Sequence, residues 1–269
     1  MKRALTYVTF LDLIFIILLS FSGLASGIIG ELMYYFAFLV PILIAFCLKR
    51  STGADFCPPK LKISRENLIL TLPTAPPVLA TVFVISWLTS LLLSFIGEGS
   101  VPDVSGNLVK IILTNALLTA ILEEALFRYI PLAFITPYTK RGAVIFSAMF
   151  FALAHCNLYQ LPYAFFAGVV FAVLDIAFDS VIPSVVIHFL NNLISIFWIR
   201  GSDNMSFVIV YMAILFGTAL LSFIPIIIFR GRYKDKITEC FLDKRPIEIS
   251  YAPILFAAMT LLIAITEVL

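Results

Sequence analysis

Charged residues are scarce in this chain. Asp, Glu, Lys and Arg together make up only 13% of its 269 residues, whereas apolar residues make up 62%. A soluble globular domain carries roughly a quarter charged residues and about half apolar ones. The composition therefore excludes an ordinary soluble protein and predicts an integral membrane protein that crosses the bilayer several times.

Two further absences narrow the function classes. The chain has no CxxC pair, and its four cysteines are irregularly spaced, so we expect neither a disulfide framework nor a cysteine-rich zinc cluster. It also has no basic stripe interleaved with aromatic side chains, since the 26 Phe lie within apolar runs, so we expect no nucleic-acid partner. The cysteines are Cys47, Cys57, Cys156 and Cys240.

Long apolar runs divide the chain into candidate membrane helices. A helix needs about 20 apolar residues to cross the hydrocarbon core. Several central runs are shorter, so we predict an all-α transmembrane bundle of eight or nine crossings that forms one integral membrane domain over residues 1–269. The first run is similar to a signal peptide, but it is long enough to span and Asp12 interrupts it, which favours a first transmembrane helix. The candidate helices are 5–25, 28–48, 70–97, 107–136, 142–157, 161–178, 182–199, 206–229 and 252–268.

The basic residues predict an orientation. Lys and Arg concentrate at the amino terminus and in the loops 49–66, 138–141 and 230–251, whereas the stretches 98–106 and 158–162 contain none. By the positive-inside rule, the amino terminus and these basic loops face the cytoplasm, where they contact anionic membrane lipid. The membrane would be the cell membrane in a prokaryote or the endoplasmic reticulum membrane in a eukaryote.

A small set of polar residues lies inside the apolar segments. Burying one ionisable group in hydrocarbon costs at least about 2.5 kcal/mol. A single buried His or Asn is most often a hydrogen-bonding contact between helices, but six polar residues on three helices favour a functional site with a polar intramembrane cavity. Asp12 and Asp175 lie near predicted helix ends or small gaps, where we expect them to be solvated. The six residues are Glu123, Glu124, Arg128, His155, His188 and Asn192.

Helical spacing assigns different roles to the two adjacent glutamates. Glu124 and Arg128 are four residues apart, so they share a helix face, and Glu124 is the natural counter-ion of a buried arginine. Glu123 is rotated by about 100° around the helix and has no basic residue one turn away. Its carboxylate therefore remains available for general acid or base catalysis.

The two histidines differ in their surroundings. His188 and Asn192 are four residues apart and can donate hydrogen bonds to one point without carrying charge, which is what a developing oxyanion requires. His155 stands alone on the preceding helix, four residues after Phe151. A Glu and a His beside a water molecule, opposite a pair of donors, is an arrangement for amide hydrolysis. A Ser184–His188 pair is also possible on one helix, but it leaves the glutamates unexplained.

Two chemical alternatives remain open. Two His and one Glu could hold zinc with water as the fourth ligand, but no HExxH motif is present, so we favour a site with no metal and no other cofactor. A proton- or ion-coupled transporter could use the same groups as a relay. Against this alternative, the sequence has no repeated pair of interrupted helices of the kind that inverted-repeat carriers show.

Three short motifs are similar to those of a known family. "EEALFR" (residues 123–128), "FALAH" (151–155) and "HFLNN" (188–192) resemble the EExxxR, FxxxH and HxxxN/D motifs of type II CAAX prenyl endopeptidases, within the CAAX proteases and bacteriocin-processing enzymes. The family's catalytic core would cover about 107–199. The resemblance implies an all-helical intramembrane protease in which Glu123 and His155 activate water, His188 and Asn192 bind the oxyanion, and Glu124 and Arg128 support them.

The resemblance also implies a substrate. The family removes the last three residues of proteins that end in Cys-aliphatic-aliphatic-X after the Cys is prenylated. An isoprenoid tail partitions into lipid at about 0.8 kcal/mol per buried CH₂, so we expect a cavity that opens both sideways to lipid and towards the basic cytoplasmic face. A family protease that acts on a non-prenylated peptide or a bacteriocin-type precursor is the alternative.

Overall fold

The computed structural model describes residues 1–52, 56–97 and 104–266. Helices account for 81% of the chain, and the described residues contain no strand. The described helices, in chain order, are α1 (Lys2–Ser22), α2 (Gly27–Thr52), α3 (Arg65–Leu93), α4 (108–135), α5 (Lys140–Ala154), α6 (Leu161–Phe178), α7 (Ile182–Gly201), α8 (Met205–Ile228), α9 (Arg230–Phe241) and α10 (Tyr251–Thr266).

The helices form the multi-pass membrane bundle that the composition predicts. Within the described residues, six helices are long and apolar enough to cross a membrane, namely α1, α2, α3, α6, α7 and α8. The number of crossings stays a prediction. Helix α4 is interrupted by two π-helical stretches, and α5 and α10 have only 15 and 16 residues.

Every predicted helix is present, and the structure differs from the predicted segments at two places. Helix α3 begins at Arg65 rather than near residue 70, because the Ser64 hydroxyl accepts a hydrogen bond from the Asn67 amide at 3.1 Å and caps the helix. The predicted loop 230–251 contains the helix α9. This helix carries too many charged residues to be recognised as an apolar run. Tyr233 of α9 is buried and its hydroxyl donates to the Leu70 carbonyl. The end of the last predicted helix, residues 267 and 268, lies outside the described residues.

The basic segments meet at one end of the bundle, which we call the basic end. The Lys60 amide donates to the Asp179 carbonyl at 3.1 Å, and the Val181 amide donates to the Lys60 carbonyl at 3.1 Å. Arg245 Nη1 donates to the Pro137 carbonyl at 2.6 Å. The Glu248 amide lies 3.3 Å from the sulfur of Met1, which brings the amino terminus to the same end.

Other loops meet at the opposite end, which we call the distal end. The Tyr159 hydroxyl donates to the carbonyl oxygens of Leu93 and Gly97 at 3.2 and 2.5 Å. Arg200 donates to the carbonyl oxygens of Val104 and Gly106, both at 2.8 Å. The segments 94–97, 104–107, 155–160 and 202–204 thus lie far from the basic loops.

Close packing of α5 against α6 holds the centre of the bundle. Most of α5 is buried, and Gly168 of α6 faces Ala148 of α5 so closely that an added Cβ would lie 2.9 Å from the Ala148 Cα. Near the same centre, the ring of Phe15 on α1 packs against Phe38 and Phe127 at centroid distances of 4.6 and 5.3 Å. The helices that carry the polar residues are therefore held at fixed separations.

The packing predicts that Gly168→Ala destabilises the protein and lowers its thermal unfolding midpoint in detergent. The new methyl group would meet the backbone of α5, which cannot move aside as a flexible side chain can, and overpacking of this kind costs about 1–3 kcal/mol. Gly217→Ala makes the same change in α8, where nothing lies within 4 Å of the new Cβ, so its midpoint should be unchanged or higher. Equal midpoints for the two variants would contradict the close α5–α6 contact.

Candidate active site

The two glutamates lie on a short α-helical stretch between two π-helical ones. Thr119–Glu124 is α-helical, whereas Ile112–Leu118 before it and Ala125–Tyr129 after it are π-helical. A π-helical turn contains more residues than an α-helical turn, and such turns are frequent at functional sites. The two π-helical turns therefore shift which side chains of α4 face the neighbouring helices, both before Glu123 and after Glu124.

Glu124 and Arg128 form the expected ion pair in the centre of the bundle. Both side chains are 0% exposed, and Arg128 Nε lies 3.3 Å from Glu124 Oε2. Arg128 Nη1 also donates to the Phe127 carbonyl at 2.9 Å, and its guanidinium lies 4.2 Å from the centre of the Phe151 ring. Arg128 thus contacts a carboxylate, a carbonyl oxygen and an aromatic ring at once. These three contacts offset the cost of burying its charge.

His188 lies between the two glutamates. Its Nδ1 is 2.7 Å from Glu124 Oε1, and its Nε2 is 3.5 Å from Glu123 Oε2. Because Glu124 is paired with Arg128, it is the acceptor, and Nδ1 of His188 carries the hydrogen. A neutral His188 then has only a lone pair at Nε2. In this tautomer, donation from Nε2 requires a second proton, and the role of His188 as an oxyanion donor stays a prediction.

The Ser184–His188 pair is not formed, because both nitrogens of His188 face glutamates. The Ser184 hydroxyl instead donates to the Val181 carbonyl at 2.9 Å. The Ser184 amide donates to Asp175 Oδ1 at 3.2 Å, so Asp175 caps the first turn of α7. Asp175 and Asp12 are 0% and 1% exposed, which corrects the expectation that both are solvated.

His155 is fixed by the end of α5. The last carbonyls of a helix lack partners within it, and the Phe151 carbonyl lies 2.8 Å from Nδ1 of His155 and accepts its hydrogen. Cys156 then adopts a left-handed backbone conformation, with φ of 47°, and ends the helix. The hydrogen on Nδ1 leaves the lone pair of His155 on Nε2, as a proton acceptor requires.

Phe151 brings the two histidines to one place. Its ring lies edge-on to both imidazoles, at centroid distances of 4.9 Å to His155 and 5.5 Å to His188. A polar cavity of about 360 Å³ lies beside these rings. Glu123, His155, His188 and Asn192 all line it. The four residues that the sequence assigns to chemistry thus face one space, whereas Glu124 and Arg128 are buried behind it.

The sequence analysis missed several polar residues of this cavity. Thr119 and Asn115 line it one and two turns before Glu123 on α4, and the spacing 115, 119, 123 is a signal that could have revealed them. The Asn115 carbonyl accepts a hydrogen bond of 3.5 Å from Asn192 Nδ2. The other polar lining residues are Tyr34, Gln160, Tyr163, Asn191 and Ser195.

The cavity extends towards the distal end of the bundle. Its lining includes Val104, Gln160 and Ile199, which lie at or near that end. Glu124, Arg128 and Ser184, on the side of the basic end, are buried, and the opening of the cavity to lipid and to the basic face stays a prediction. No lining residue comes from the basic loops.

A groove of mixed polar and apolar lining adjoins the cavity. This side groove, of about 340 Å³, lies between α3, α7 and α8 and is lined by side chains that include Phe83, Trp87 and Trp198. Tyr163, Asn191 and Ser195 line both the groove and the cavity. A second, almost wholly apolar depression of about 450 Å³ shares Leu79, Ile194 and Tyr211 with the groove. Apolar surface thus extends from the polar cavity along α3, α7 and α8.

The described residues contain no group of three His, Cys, Asp or Glu side chains that could hold a metal ion. Glu123 and the two histidines, which the zinc alternative requires, do not form such a group. Glu123, which is not paired with Arg128, instead lines one polar cavity together with the two imidazoles.

The chain matches a protein-family model over part of its length. Residues 105–194 match the family described as type II CAAX prenyl endopeptidase Rce1-like. The matched region contains Glu123, His155, His188 and Asn192, together with the Glu124–Arg128 pair. Searches of curated proteins and of solved structures found no match.

The buried pair predicts a large loss of stability for Arg128→Met. Removing one member leaves the Glu124 carboxylate buried without its cation, which costs about 3–5 kcal/mol. We expect little folded protein after extraction in detergent, and partial recovery in Glu124→Gln/Arg128→Met, where no charge is left unpaired. The fraction of monodisperse protein in size-exclusion chromatography measures this effect.

Lys110→Met is the matched control, because Lys110 forms an exposed ion pair with Glu31 at 2.7 Å. Exposed pairs contribute little, so this variant should behave as the wild type does. A wild-type yield of Arg128→Met would contradict the importance of the buried pair.

Proposed function

Because the chain carries a type II CAAX prenyl endopeptidase Rce1-like domain at residues 105–194, we propose that it is an intramembrane endopeptidase of the glutamate type. Its proposed reaction is hydrolysis of the peptide bond after a prenylated cysteine, which releases a C-terminal tripeptide. One observation carries the proposal, namely that Glu123, His155, His188 and Asn192 line a single polar cavity inside an apolar bundle. A carboxylate, two imidazoles and an amide in one cavity are the groups that water-dependent amide hydrolysis needs.

Glu123 and His155 are the proposed activators of water. The Glu123 side chain is only 15% exposed and is not paired with Arg128, which Glu124 binds. It can therefore accept a proton from a water molecule in the cavity. Nε2 of His155 accepts a second hydrogen bond from this water and orients its oxygen towards the substrate carbonyl carbon.

His188 and Asn192 are the proposed oxyanion donors. As the water oxygen bonds to the carbonyl carbon, the carbonyl oxygen becomes negative and accepts hydrogen bonds from Asn192 Nδ2 and from protonated Nε2 of His188. Glu124 holds His188 in this state through the 2.7 Å contact with Nδ1. Fixed donors at a developing oxyanion contribute about 10²–10³-fold to the rate each.

The proton taken from water completes the reaction. The tetrahedral intermediate collapses when the bond between its carbon and the peptide nitrogen breaks. The proton on Glu123 passes to that nitrogen, which leaves as an amine. The new carboxyl group keeps the water oxygen, and Glu123 is again ionised. No metal takes part in this proposal, because Glu123 supplies the base and His188 with Asn192 supplies the electrophilic contact.

The side groove is the proposed site of the isoprenoid chain. It adjoins the polar cavity at Tyr163, Asn191 and Ser195, so a lipid attached next to the scissile bond could lie in the groove while the peptide lies in the cavity. Burial of an isoprenoid contributes about 0.8 kcal/mol per CH₂. The apolar lining along α3, α7 and α8 supports a lipid-linked substrate.

A family protease for a non-prenylated peptide is a second candidate function. It is favoured by the lining of the cavity, which extends to the distal end opposite the basic loops. Cytoplasmic CAAX tails would meet the basic end of the protein if those loops face the cytoplasm. The catalytic roles of Glu123, His155, His188 and Asn192 are the same for either substrate.

Glu123→Gln should reduce cleavage of a farnesylated CAAX peptide at least about 100-fold, because the amide cannot accept the proton from water. The measurement is release of the C-terminal tripeptide by purified protein in lipid nanodiscs. The matched control is Glu66→Gln, since Glu66 is exposed near Arg232 at the basic end, and this variant should retain wild-type activity. Thermal unfolding midpoints should be equal for both variants.

The same assay tests the metal-free mechanism. Activity should persist in 1,10-phenanthroline. Inhibition that only added zinc reverses would overturn the metal-free proposal. Full activity of Glu123→Gln, or transport of protons or ions without peptide cleavage by the wild type, would overturn the glutamate protease.

Phe83→Ala should weaken binding of the farnesylated peptide. Phe83 lines the side groove and packs against Trp198 and Tyr211 at 5.0 and 6.0 Å, so its removal takes apolar surface from the isoprenoid. We expect KM for this peptide to rise about tenfold with kcat unchanged. KM for the same peptide with a short S-alkyl group should stay constant.

Phe223→Ala makes the same substitution on a side chain that is 48% exposed on α8 and does not line the side groove. Its KM for the farnesylated peptide should equal that of the wild type. Equal KM values for Phe83→Ala and the wild type would show that the groove does not bind the isoprenoid.

A further inference from the structure

We infer that a second cavity beside the active site binds the residues that follow the scissile bond and selects among leaving peptides. This cavity, which we call the α2–α4 cavity, has a volume of about 470 Å³. The inference rests on the proposed peptidase function and names the part of the substrate that binds there. The polar side chains that line the cavity from α2 and α4 are Glu31, Tyr34, Tyr35, Thr114, Asn115 and Thr119.

The α2–α4 cavity adjoins the catalytic cavity. Tyr34, Asn115 and Thr119 line both of them. The rings of Tyr35 and Phe38 hold Tyr34 at this junction, with centroid distances of 5.4 and 5.3 Å. The side groove adjoins the catalytic cavity through three other residues, which belong to α6 and α7. The catalytic cavity therefore has two branches, which are lined by different helices.

The linings of the two branches fit the two arms of a prenylated peptide. The side groove contains the large rings of Phe83, Trp87 and Trp198 and continues into an almost wholly apolar depression. By contrast, each of the six side chains named for the α2–α4 cavity carries a hydroxyl, an amide or a carboxylate group. An isoprenoid gains free energy on apolar surface, whereas a peptide backbone needs partners for its N–H and C=O groups. The α2–α4 cavity is thus the branch that suits the peptide arm.

The catalytic groups assign the same arms to the same branches. Glu123 protonates the leaving nitrogen in the proposed reaction, and Thr119, one turn before it on α4, lines the α2–α4 cavity. His188 and Asn192, the proposed oxyanion donors, lie on α7, which also lines the side groove. The amine side of the scissile bond therefore faces α4, and the acyl side with its prenylated cysteine faces α7.

The α2–α4 cavity has the length that a tripeptide needs. Thr114 lies nine residues before Glu123, which is about 14 Å or less along the helix axis, and three extended residues span about 10 Å. An ion pair between Glu31 and Lys110 lies at the edge of the cavity, and these side chains are 53% and 61% exposed. The carboxylate at the end of the tripeptide therefore need not be buried.

Thr114→Phe tests the inference, because Thr114 lines the α2–α4 cavity but not the catalytic cavity. Two farnesylated peptides that end in Cys-Val-Ile-Ala and Cys-Val-Ile-Phe differ only in the size of the last residue. The new ring takes space from the larger residue, so kcat/KM for the second peptide relative to the first should fall about tenfold. A substitution that only disturbed the fold would lower both values equally. The measurement is tripeptide release by the full-length protein in nanodiscs.

Thr81→Phe is the matched control. Thr81 is exposed on α3 and does not line the α2–α4 cavity, the catalytic cavity or the side groove. Its hydroxyl donates to the Pro77 carbonyl at 2.8 Å, as the Thr114 hydroxyl donates to the Lys110 carbonyl at 2.9 Å. Its ratio of kcat/KM values should equal that of the wild type. An equal ratio in Thr114→Phe would overturn the inference.

Photocrosslinking locates the leaving peptide without depending on cleavage. Full-length Glu123→Gln protein is bound to the farnesylated peptide with p-benzoylphenylalanine as its last residue, and the residues linked by irradiation are identified by mass spectrometry. We expect links to residues 30–35 of α2 or 112–119 of α4. Links confined to any other part of the chain, including the side groove on α3 and α8, would overturn the inference.

Failure of the proposed function gives a different result. The wild-type protein would then release no tripeptide from either peptide. Failure of the inference alone leaves both peptides cleaved by the wild type, while Thr114→Phe does not change their ratio and the crosslinks lie outside α2 and α4.

Discussion

The active site depends on the contact that Glu124 makes with two partners at once. Its Oε2 faces Arg128 at 3.3 Å and its Oε1 faces His188 at 2.7 Å, in a region from which water is excluded. The arginine keeps the carboxylate ionised, and the carboxylate in turn fixes the hydrogen on Nδ1 of His188. The second nitrogen of His188 is thereby directed towards Glu123, and α4 is connected to α7. One buried carboxylate thus determines the ring orientation and tautomer of a histidine on another helix.

The sequence predicted the components of this site better than their contacts. Hydrophobic runs located the helices, because each must cover its backbone with apolar side chains inside a membrane. Spacing along one helix identified the Glu124–Arg128 pair, since residues four apart share a face. The contact of His188 with both glutamates depends on how α7 packs against α4, and no spacing within one helix contains that information. The spacing within α7 therefore could not give the partners of the two nitrogens of His188.

Other misses have equally specific causes. Helix α9 was assigned to a loop because its charges outweigh the buried face of Tyr233. Asp175 was expected to be solvated because it lies near the end of α6, yet it caps α7 by accepting from the Ser184 amide. The extension of the cavity to the distal end could not be predicted, since it depends on which half of each helix is packed with large side chains. The π-helical turns of α4 also leave no distinct composition in the sequence.

Those π-helical turns make the number of residues in α4 as important as their identities. Ala125–Tyr129 connects Glu124 to the segment that contacts α5, and it holds more residues than an α-helical turn of the same length. In regular α-helical geometry each extra residue rotates everything beyond it by about 100°, whereas a π-helical turn takes up one extra residue within a single turn. If the same residues adopted α-helical geometry throughout, Asn115, Thr119 and Glu123 would be rotated away from the histidines although every side chain remained present. A helix that only contacts lipid has no need of this adjustment, whereas α4 depends on it.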